Sequence, residues 1–284
     1  MTSTDIEPMK NTKFGLIGHP IAHSLSPALF KAAYNGKYPY DLIESEDFET
    51  AYERFLNEYV AVNVTAPFKE LAFRKADIVR PECEAIGAAN ILIRTPDGVV
   101  AANSDHFGVI GAMMAGLYPD KTIKPEALIV GCGGAAKAAA YACLEIDYKV
   151  TVINRNYEKA RDFAMRVSSL NPSYRITARP LENFSKAFKD AGVIIYTLPV
   201  AIDALNELKR KDIRGNILRK EDKVIVEANY KDPAFTPELI ESLQRVNQKL
   251  IYVSGQEWLL HQAIGAYLSF TGEEPNIEQM RKVL

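Results

Sequence analysis

The run Ala127-Leu128-Ile129-Val130, followed at once by Gly131-Cys132-Gly133-Gly134-Ala135-Ala136, leaves the chain few architectures to choose from. The apolar residues form a buried strand, the glycines a tight turn, and the alanine-rich stretch to about Ile146 a helix. A strand that feeds a helix through such a turn is the first half of a parallel βαβ unit. Gly131, Gly133, Gly134 and Ala135 let backbone amides approach an anion, and the pattern is the fingerprint of a dinucleotide pyrophosphate loop with alanine in its third small position. The next strand, Lys149–Ile153, ends at Asn154-Arg155, about 20 residues beyond the glycines, where an NAD enzyme carries Asp or Glu for the ribose 2′-hydroxyl. An arginine there, with Lys159 one helical turn on, suits a 2′-phosphate instead. The expected cofactor is NADP.

Further strands at Arg175–Ala178, Val193–Leu198 and Val224–Ala228, separated by helical stretches, extend this unit into an open doubly wound sheet over residues 107–253. The N-terminal part repeats the alternation independently. Strands are expected at Lys13–Gly18, Tyr40–Ile43 and Ala61–Val64, and helices after Ser26-Pro27 and over Phe48–Tyr59, the latter with Phe48, Ala51, Tyr52, Phe55 and Leu56 on one face. Ser26 reads as a helix cap with Pro27 in the first turn, whereas Ser24 has no such duty and stands in a loop where a hydroxyl can serve an anion. Pro67 reads as a first-turn residue of the next helix, from which Lys69 projects. Ile91–Arg94 and Val99–Ala102 form a hairpin about Pro96-Asp97-Gly98. Asp105 follows directly, a carboxylate at a strand end that suits an acid, a base or a plain helix cap. The fold class is thus α/β: an N-terminal α/β domain with a mostly parallel sheet, and a Rossmann-type domain.

Charge narrows the partners. With 284 residues there is room for two domains, and 34 basic against 36 acidic side chains leave a net charge of −2, which gives no reason to expect nucleic acid or an anionic membrane. Cys83, Cys132 and Cys143 are odd in number and lack Cys-x-x-Cys spacing, which argues against a disulfide framework and a zinc site, and no metal is expected. Residues 1–11 are polar and lack the apolar core of a secretion signal, and no run approaches the ~18 apolar residues that span a bilayer. A cytoplasmic, unprocessed protein is expected, a monomer or homodimer acting on a small molecule.

With these pieces in place, the chain resembles the shikimate dehydrogenase family, which interconverts 3-dehydroshikimate and shikimate in chorismate and aromatic amino-acid synthesis. The resemblance runs over nearly everything after Asn11. Gly18–Pro27 is similar to the family's opening motif, and it implies that Ser24 and Ser26 bind the substrate carboxylate. Asn63-Val64-Thr65 through Pro67-Phe68-Lys69 resembles the catalytic-lysine motif, and Ala88-Ala89-Asn90 and Asn103-Ser104-Asp105 match the asparagine and the catalytic aspartate. Lys69 and Asp105 are then the catalytic residues, and Thr65, Asn90, Tyr230 and Gln262 further substrate contacts. Gly131–Ala136 resembles the NADP loop, and Asn154, Arg155 and Lys159 the clamp on the 2′-phosphate. The resemblance also implies a substrate-binding catalytic domain at 1–106, completed by C-terminal helices at 254–284, an NADP domain at 107–253, and a site in the cleft. Asn156 stands where the family usually has threonine, Lys159 where it has arginine, and Glu227 where it has aspartate. Tyr196–Val200 and Gly255–Trp258 also depart from the pattern around the expected nicotinamide pocket.

Reduction of a ketone needs a hydride and a proton at the developing alkoxide. A lysine ammonium shuttles protons poorly at neutral pH unless a neighbour helps, and a carboxylate orients and tunes it. Other chemistries find less support: no tyrosine is followed by lysine four residues on, and the cysteines lack zinc spacing. Two alternatives stay open, a quinate/shikimate dehydrogenase with relaxed substrate or cofactor use, and a non-catalytic dinucleotide-binding sensor.

Overall fold

Two six-stranded sheets carry the chain, whose computed structural model describes residues 12–116, 125–213 and 222–284. The expectation for residues 1–11 lies outside the described residues. Contacts divide the chain into two compact units, residues up to Ser104 with Ala263–Leu284, and Asp105–Gln262.

In the first unit β1 (Phe14–Gly18), α1 (Ser26–Ala33), β2 (Tyr40–Glu44), α2 (Phe48–Glu58) and β3 (Ala61–Val64) alternate, and β1 pairs in parallel with both β2 and β3. After α3 (Lys69–Lys75) come a two-residue β4 (Ile78–Val79), α4 (Pro81–Ile86), and the hairpin β5 (Ile91–Thr95) and β6 (Gly98–Ala102). The strand order is β2-β1-β3-β5-β6-β4, with β5 antiparallel to both neighbours. On α2, Phe48, Ala51, Tyr52 and Phe55 enter the core, while Leu56 stays exposed at the margin of the apolar stripe.

Two local expectations fail. Ser26 is not the cap of α1: Leu25 holds that position, and the Ser26 backbone N–H donates to Ser24 Oγ at 3.2 Å. The serine two residues upstream therefore performs the local duty assigned to Ser26. Nor is Pro67 in a first helical turn, because the Phe68 N–H donates back to the Thr65 carbonyl at 3.0 Å and closes a tight turn across it, so that α3 starts at Lys69. A first-turn proline and a turn proline share the same φ, and the sequence pattern alone does not separate them.

The second unit begins with α5 (Asp105–Gly116) and continues through β7 (Glu126–Val130), α6 (Gly134–Glu145), β8 (Lys149–Ile153), α7 (Tyr157–Leu170) and β9 (Ile176–Arg179). Its second half holds α8 (Phe184–Asp190), β10 (Val193–Tyr196), the short α9 (Asp203–Asn206) and α10 (Arg210–Ile213), β11 (Lys223–Glu227), α11 (Pro237–Val246) and β12 (Leu250–Val253). Every strand pair is parallel, in the order β12-β11-β10-β7-β8-β9. That is the doubly wound order, with its reversal between β7 and β10. Strands buried on both faces explain the unbroken apolar runs that mark β7, β10 and β11.

The chain closes with α12 (Gly255–Thr271) and α13 (Ile277–Arg281). Residues from Ala263 onward are part of the first unit. There Phe270 stacks on Phe14 with ring centroids 5.4 Å apart and planes 2° from parallel, Tyr267 meets Phe30 edge-on at 4.8 Å, and the Asn276 N–H donates to the Ala33 carbonyl at 2.9 Å. Aromatic pairs add to area burial, so this cluster is the main anchor of the C-terminal segment. Phe270→Ala is expected to lower the unfolding free energy by about 3 kcal/mol. Urea denaturation measures it, and a loss below about 1 kcal/mol would mean that the stack does not hold the segment.

Candidate active site

Topology gathers most of the expected substrate residues on one edge of the first sheet. The register pairs Ile17 of β1 with Val64 of β3, Asn63 with Ile91 of β5, and Ile91 with Ala102 of β6. The segments after β1 and β3, the one before β5 and the one after β6 therefore emerge side by side, carrying Ser24 and Ser26, Thr65 and Lys69, Asn90, and Ser104 respectively. Thr65 is seated by a close approach: a Cβ on Gly18 would meet Thr65 Cγ2 at 2.4 Å, so only glycine fits beneath it. The His19 N–H donates to the Ala66 carbonyl at 3.2 Å and ties the two loops together.

Asn90 is buried, at 4% exposure, and its amide works in both directions. Oδ1 accepts from the Ser104 backbone N–H at 2.8 Å, and Nδ2 donates to Ser104 Oγ at 3.2 Å. The Asn90 carbonyl accepts from the Val64 N–H at 2.9 Å and from Asn63 Nδ2 at 3.3 Å, and Asn103 Nδ2 donates to the Ala88 carbonyl at 2.9 Å. Lys69 opens α3 half-buried, its carbonyl accepting from the Ala89 N–H at 2.9 Å. Ser24 and Ser26 are half-buried, with the Ser24 hydroxyl donating to Ser26 Oγ at 3.2 Å and the Ser26 carbonyl accepting from Tyr267 Oη at 3.1 Å.

Asp105, buried at 1% exposure, is the residue after Ser104 and the first of α5 and of the second unit. One turn beyond Asp105, a Cβ on Gly108 would lie 2.9 Å from Gln262 Cβ, so within the second unit α5 packs closely on α12 at Gln262. Tyr230 follows β11 in a half-buried loop, and burial raises its hydroxyl pKa. These three residues belong to the second unit, the five before them to the first.

The glycine loop has the form that a pyrophosphate needs. Gly131 adopts φ +116°, which a side chain would strain, and its N–H donates to the Ile153 carbonyl at 2.8 Å. Gly133 caps α6 without a side-chain hydrogen bond, and a Cβ placed there would meet nothing within 4 Å. No side chain caps the first amides of α6, and Gly134 and Ala135 add little bulk. Beside this loop Asn154 Nδ2 donates to the Asn156 carbonyl at 2.9 Å, Asn156 Oδ1 accepts from the Lys159 N–H at 3.2 Å as the cap of α7, and Arg155 is exposed. The departure from threonine at Asn156 keeps the capping chemistry, since asparagine is as good an N-cap.

A network that sequence reasoning did not find braces the loops after β10 and β11. Glu227, fully buried, accepts from the Ala234 N–H at 2.5 Å, the Phe235 N–H at 3.3 Å and Tyr252 Oη at 2.8 Å. Asn229 Nδ2 donates to the Pro199 carbonyl at 3.3 Å, and Tyr196 Oη to the Val200 carbonyl at 2.6 Å. Tyr230 is carried on the loop that these bonds fix. A carboxylate at the end of an apolar strand, seven residues before an Ala-Phe pair, is the only signal the sequence offers for it.

Comparison with known proteins fits this geometry. Residues 16–92 match the family model for the shikimate dehydrogenase substrate binding domain, and residues 119–226 that for shikimate / quinate 5-dehydrogenase. The chain is 30% identical over 271 residues to the shikimate dehydrogenase (NADP(+)) of Acidiphilium cryptum, covering 93% of this chain and 92% of that one. Shikimate dehydrogenase from Mycobacterium tuberculosis superposes with a TM-score of 0.76 at 30% identity, over 96% of this chain and 98% of its own. Shikimate 5-dehydrogenase from Thermus thermophilus, crystallised in complex with NADP(H) and shikimate, gives 0.76 at 26% identity, over 96% and 100%.

Burial raises the Glu227 carboxyl pKa, opposed by the hydrogen bonds from Tyr252, Ala234 and Phe235. A carboxyl whose folded pKa is raised contributes stability that is fully present below its unfolded pKa and lost as pH rises through the folded one. Glu227→Gln presents an amide NH2 to a site that needs only acceptors and is expected to cost about 1–3 kcal/mol. The gap in Tm between parent and variant should narrow as pH is raised from about 4 toward neutrality. A pH-independent gap would show that Glu227 does not titrate in this window.

Proposed function

This chain belongs to the shikimate dehydrogenase family, and from that premise we propose that it reduces 3-dehydroshikimate reversibly to shikimate with NADPH, in chorismate and aromatic amino-acid biosynthesis. It is an NADP-dependent oxidoreductase. The observation that carries the reading is the convergence of Ser24, Ser26, Thr65, Lys69 and Asn90 on one sheet edge, reached through β1, β3 and β5. In this reading the first unit binds substrate and the second binds NADP. NADPH, when bound, supplies the hydride.

The chain's own groups supply the rest. Ser24 and Ser26 offer hydroxyls to the substrate carboxylate, since charge-assisted hydrogen bonds to an anion are the strong ones, and Tyr230 serves the same anion. Thr65, Asn90 and Gln262 orient the ring hydroxyls. Lys69 stabilises charge on the carbonyl oxygen and delivers its proton, and Asp105 orients the ammonium. Support for Asp105 comes from its neighbour: Asn90 grips Ser104 by backbone and side chain, which leaves the next residue little freedom. Arg155 and Lys159 hold the 2′-phosphate, and the amides of Gly133, Gly134 and Ala135 the pyrophosphate, with Gly131 shaping the turn that presents them. Among the described residues no helix is long and apolar enough to cross a membrane, and Cys83, Cys132 and Cys143 form no disulfide. We place the enzyme in the cytoplasm, as a monomer or homodimer without nucleic-acid partners.

An absorbance assay of shikimate and quinate against NADP and NAD tests the reading; turnover of shikimate with NADP is expected, and its absence overturns it in favour of a sensor. Lys69→Ala is expected to lower kcat and kcat/KM together by about 10² to 10⁴-fold while substrate binding stays near parental. Asp105→Asn should cost much of the same factor, and the double variant far less than the product of the two losses. Alanine at the start of α3 keeps the helix, so thermal melting should be unchanged, and a near-parental kcat in Lys69→Ala would remove the lysine from catalysis.

A further inference from the structure

A cleft of about 430 Å³ opens on the second unit beside the loop after β8. Its wall is not confined to that loop. Lys137 of α6 faces it together with Asn156, Lys159 and Arg166 of the loop and α7, and with the carboxylates of Glu158 and Asp162. Both carboxylates are also bonded to Arg161, at 2.5 and 3.1 Å, so cations outnumber anions around the cleft.

Lys137 is unusual in its own helix. It is half-buried in Gly134-Ala135-Ala136-Lys137-Ala138-Ala139-Ala140, where it is the only charged side chain before Glu145. It lies in the opening turn of α6, one residue beyond the glycine-loop motif, and its N–H donates to the Gly133 carbonyl at 3.0 Å. Lys159 lies in the opening turn of α7, held there by the Asn156 cap. The parallel pairing of β7 with β8 brings these two turns to the same end of the sheet, whereas Arg166, seven residues further along α7, stands roughly 10 Å from Lys159.

We propose that Lys137 is a specificity-determining residue for NADP, the third cation of the site that reads the 2′-phosphate. This rests on the assignment of Arg155 and Lys159 to that phosphate. A lysine is a point charge that cannot form the two-pronged fork of an arginine, so Lys159 alone grips a dianion less firmly than the arginine usual in the family. A second ammonium, from the neighbouring helix, lines the same cleft and supplies further positive charge. Adenine and the 5′-phosphate gain nothing comparable from it.

Calorimetric titration of the full chain with adenosine 2′,5′-bisphosphate and with adenosine 5′-monophosphate tests this without turnover. Lys137→Gln should weaken the bisphosphate roughly ten-fold, as loss of one charge-assisted hydrogen bond does, and leave the monophosphate within about two-fold. Lys137→Arg, which keeps the charge, should restore the discrimination. Equal losses for both ligands, or no loss for either, overturn the proposal. Arg155→Gln run in parallel separates the two levels: if it discriminates and Lys137→Gln does not, only Lys137 is excluded, and if neither does, the assignment of the loop to the 2′-phosphate fails with it.

Discussion

The buried side-chain amide of Asn90 is the interaction on which the first unit's working edge depends. A buried amide left unpaired is costly, and this one is paired at both ends to a single residue, Ser104. The pairing carries the junction past the last backbone bond between these segments, from the Asn90 N–H to the Ala102 carbonyl at 3.2 Å, because β5 begins and β6 ends just short of these residues. Through the same residue's carbonyl the end of β3 is held as well, by Val64 and Asn63. Three chain segments that the strand order merely sets side by side become one rigid edge. Tyr40 Oη, which donates to Asn63 Oδ1 at 2.9 Å, extends the brace to β2.

Periodicity and glycine spacing made the two α/β units legible, since buried parallel strands read as apolar runs and the turn after β7 needs glycine at 131, where φ is +116°. The hairpin of β5 and β6 was equally plain from Pro96-Asp97-Gly98. What stayed hidden was of two kinds. β4 is two residues long and α4 six, too short for any period to show. The exchange of duties between Ser24 and Ser26 turns on which hydroxyl faces which amide, a choice of about one residue that local propensity does not resolve. Candidate residues such as Lys69, Asp105, Tyr230 and Gln262 stood out through resemblance to a family rather than through spacing, since a lone lysine or tyrosine has no pattern of its own.

The second unit shows how a departure from a family pattern is absorbed. Thr197, where a small polar run is usual, donates its hydroxyl to the Val130 carbonyl at 2.8 Å, and a Cβ on Gly131 would meet that oxygen at 2.4 Å. The threonine occupies the space the glycine vacates, so the loop after β10 is buttressed against the glycine loop after β7. Glutamate at 227 works the same way. Its extra methylene carries the carboxylate from the end of β11 to amides at Ala234 and Phe235 and to Tyr252 on β12 at once.

That pattern bears on how firmly the loops after β10 and β11 are held. Loops without buried hydrogen bonds open at little cost, whereas a loop tied at several points must break all of them together. The segment 228–235 is tied by Glu227 at its far end, by Asn229 Oδ1 to the N–H groups of Lys231 and Asp232 at its turn, and by Asn229 Nδ2 to Pro199 across the gap. The Pro199 segment is in turn tied by Tyr196 to Val200. Tyr230 lies inside this doubly fastened span, so its backbone position is set by the second unit's own hydrogen bonds. A loop held in advance loses less conformational entropy on binding than one that must be ordered by its ligand, and this is the physical advantage of spending a fully buried carboxylate on a surface loop.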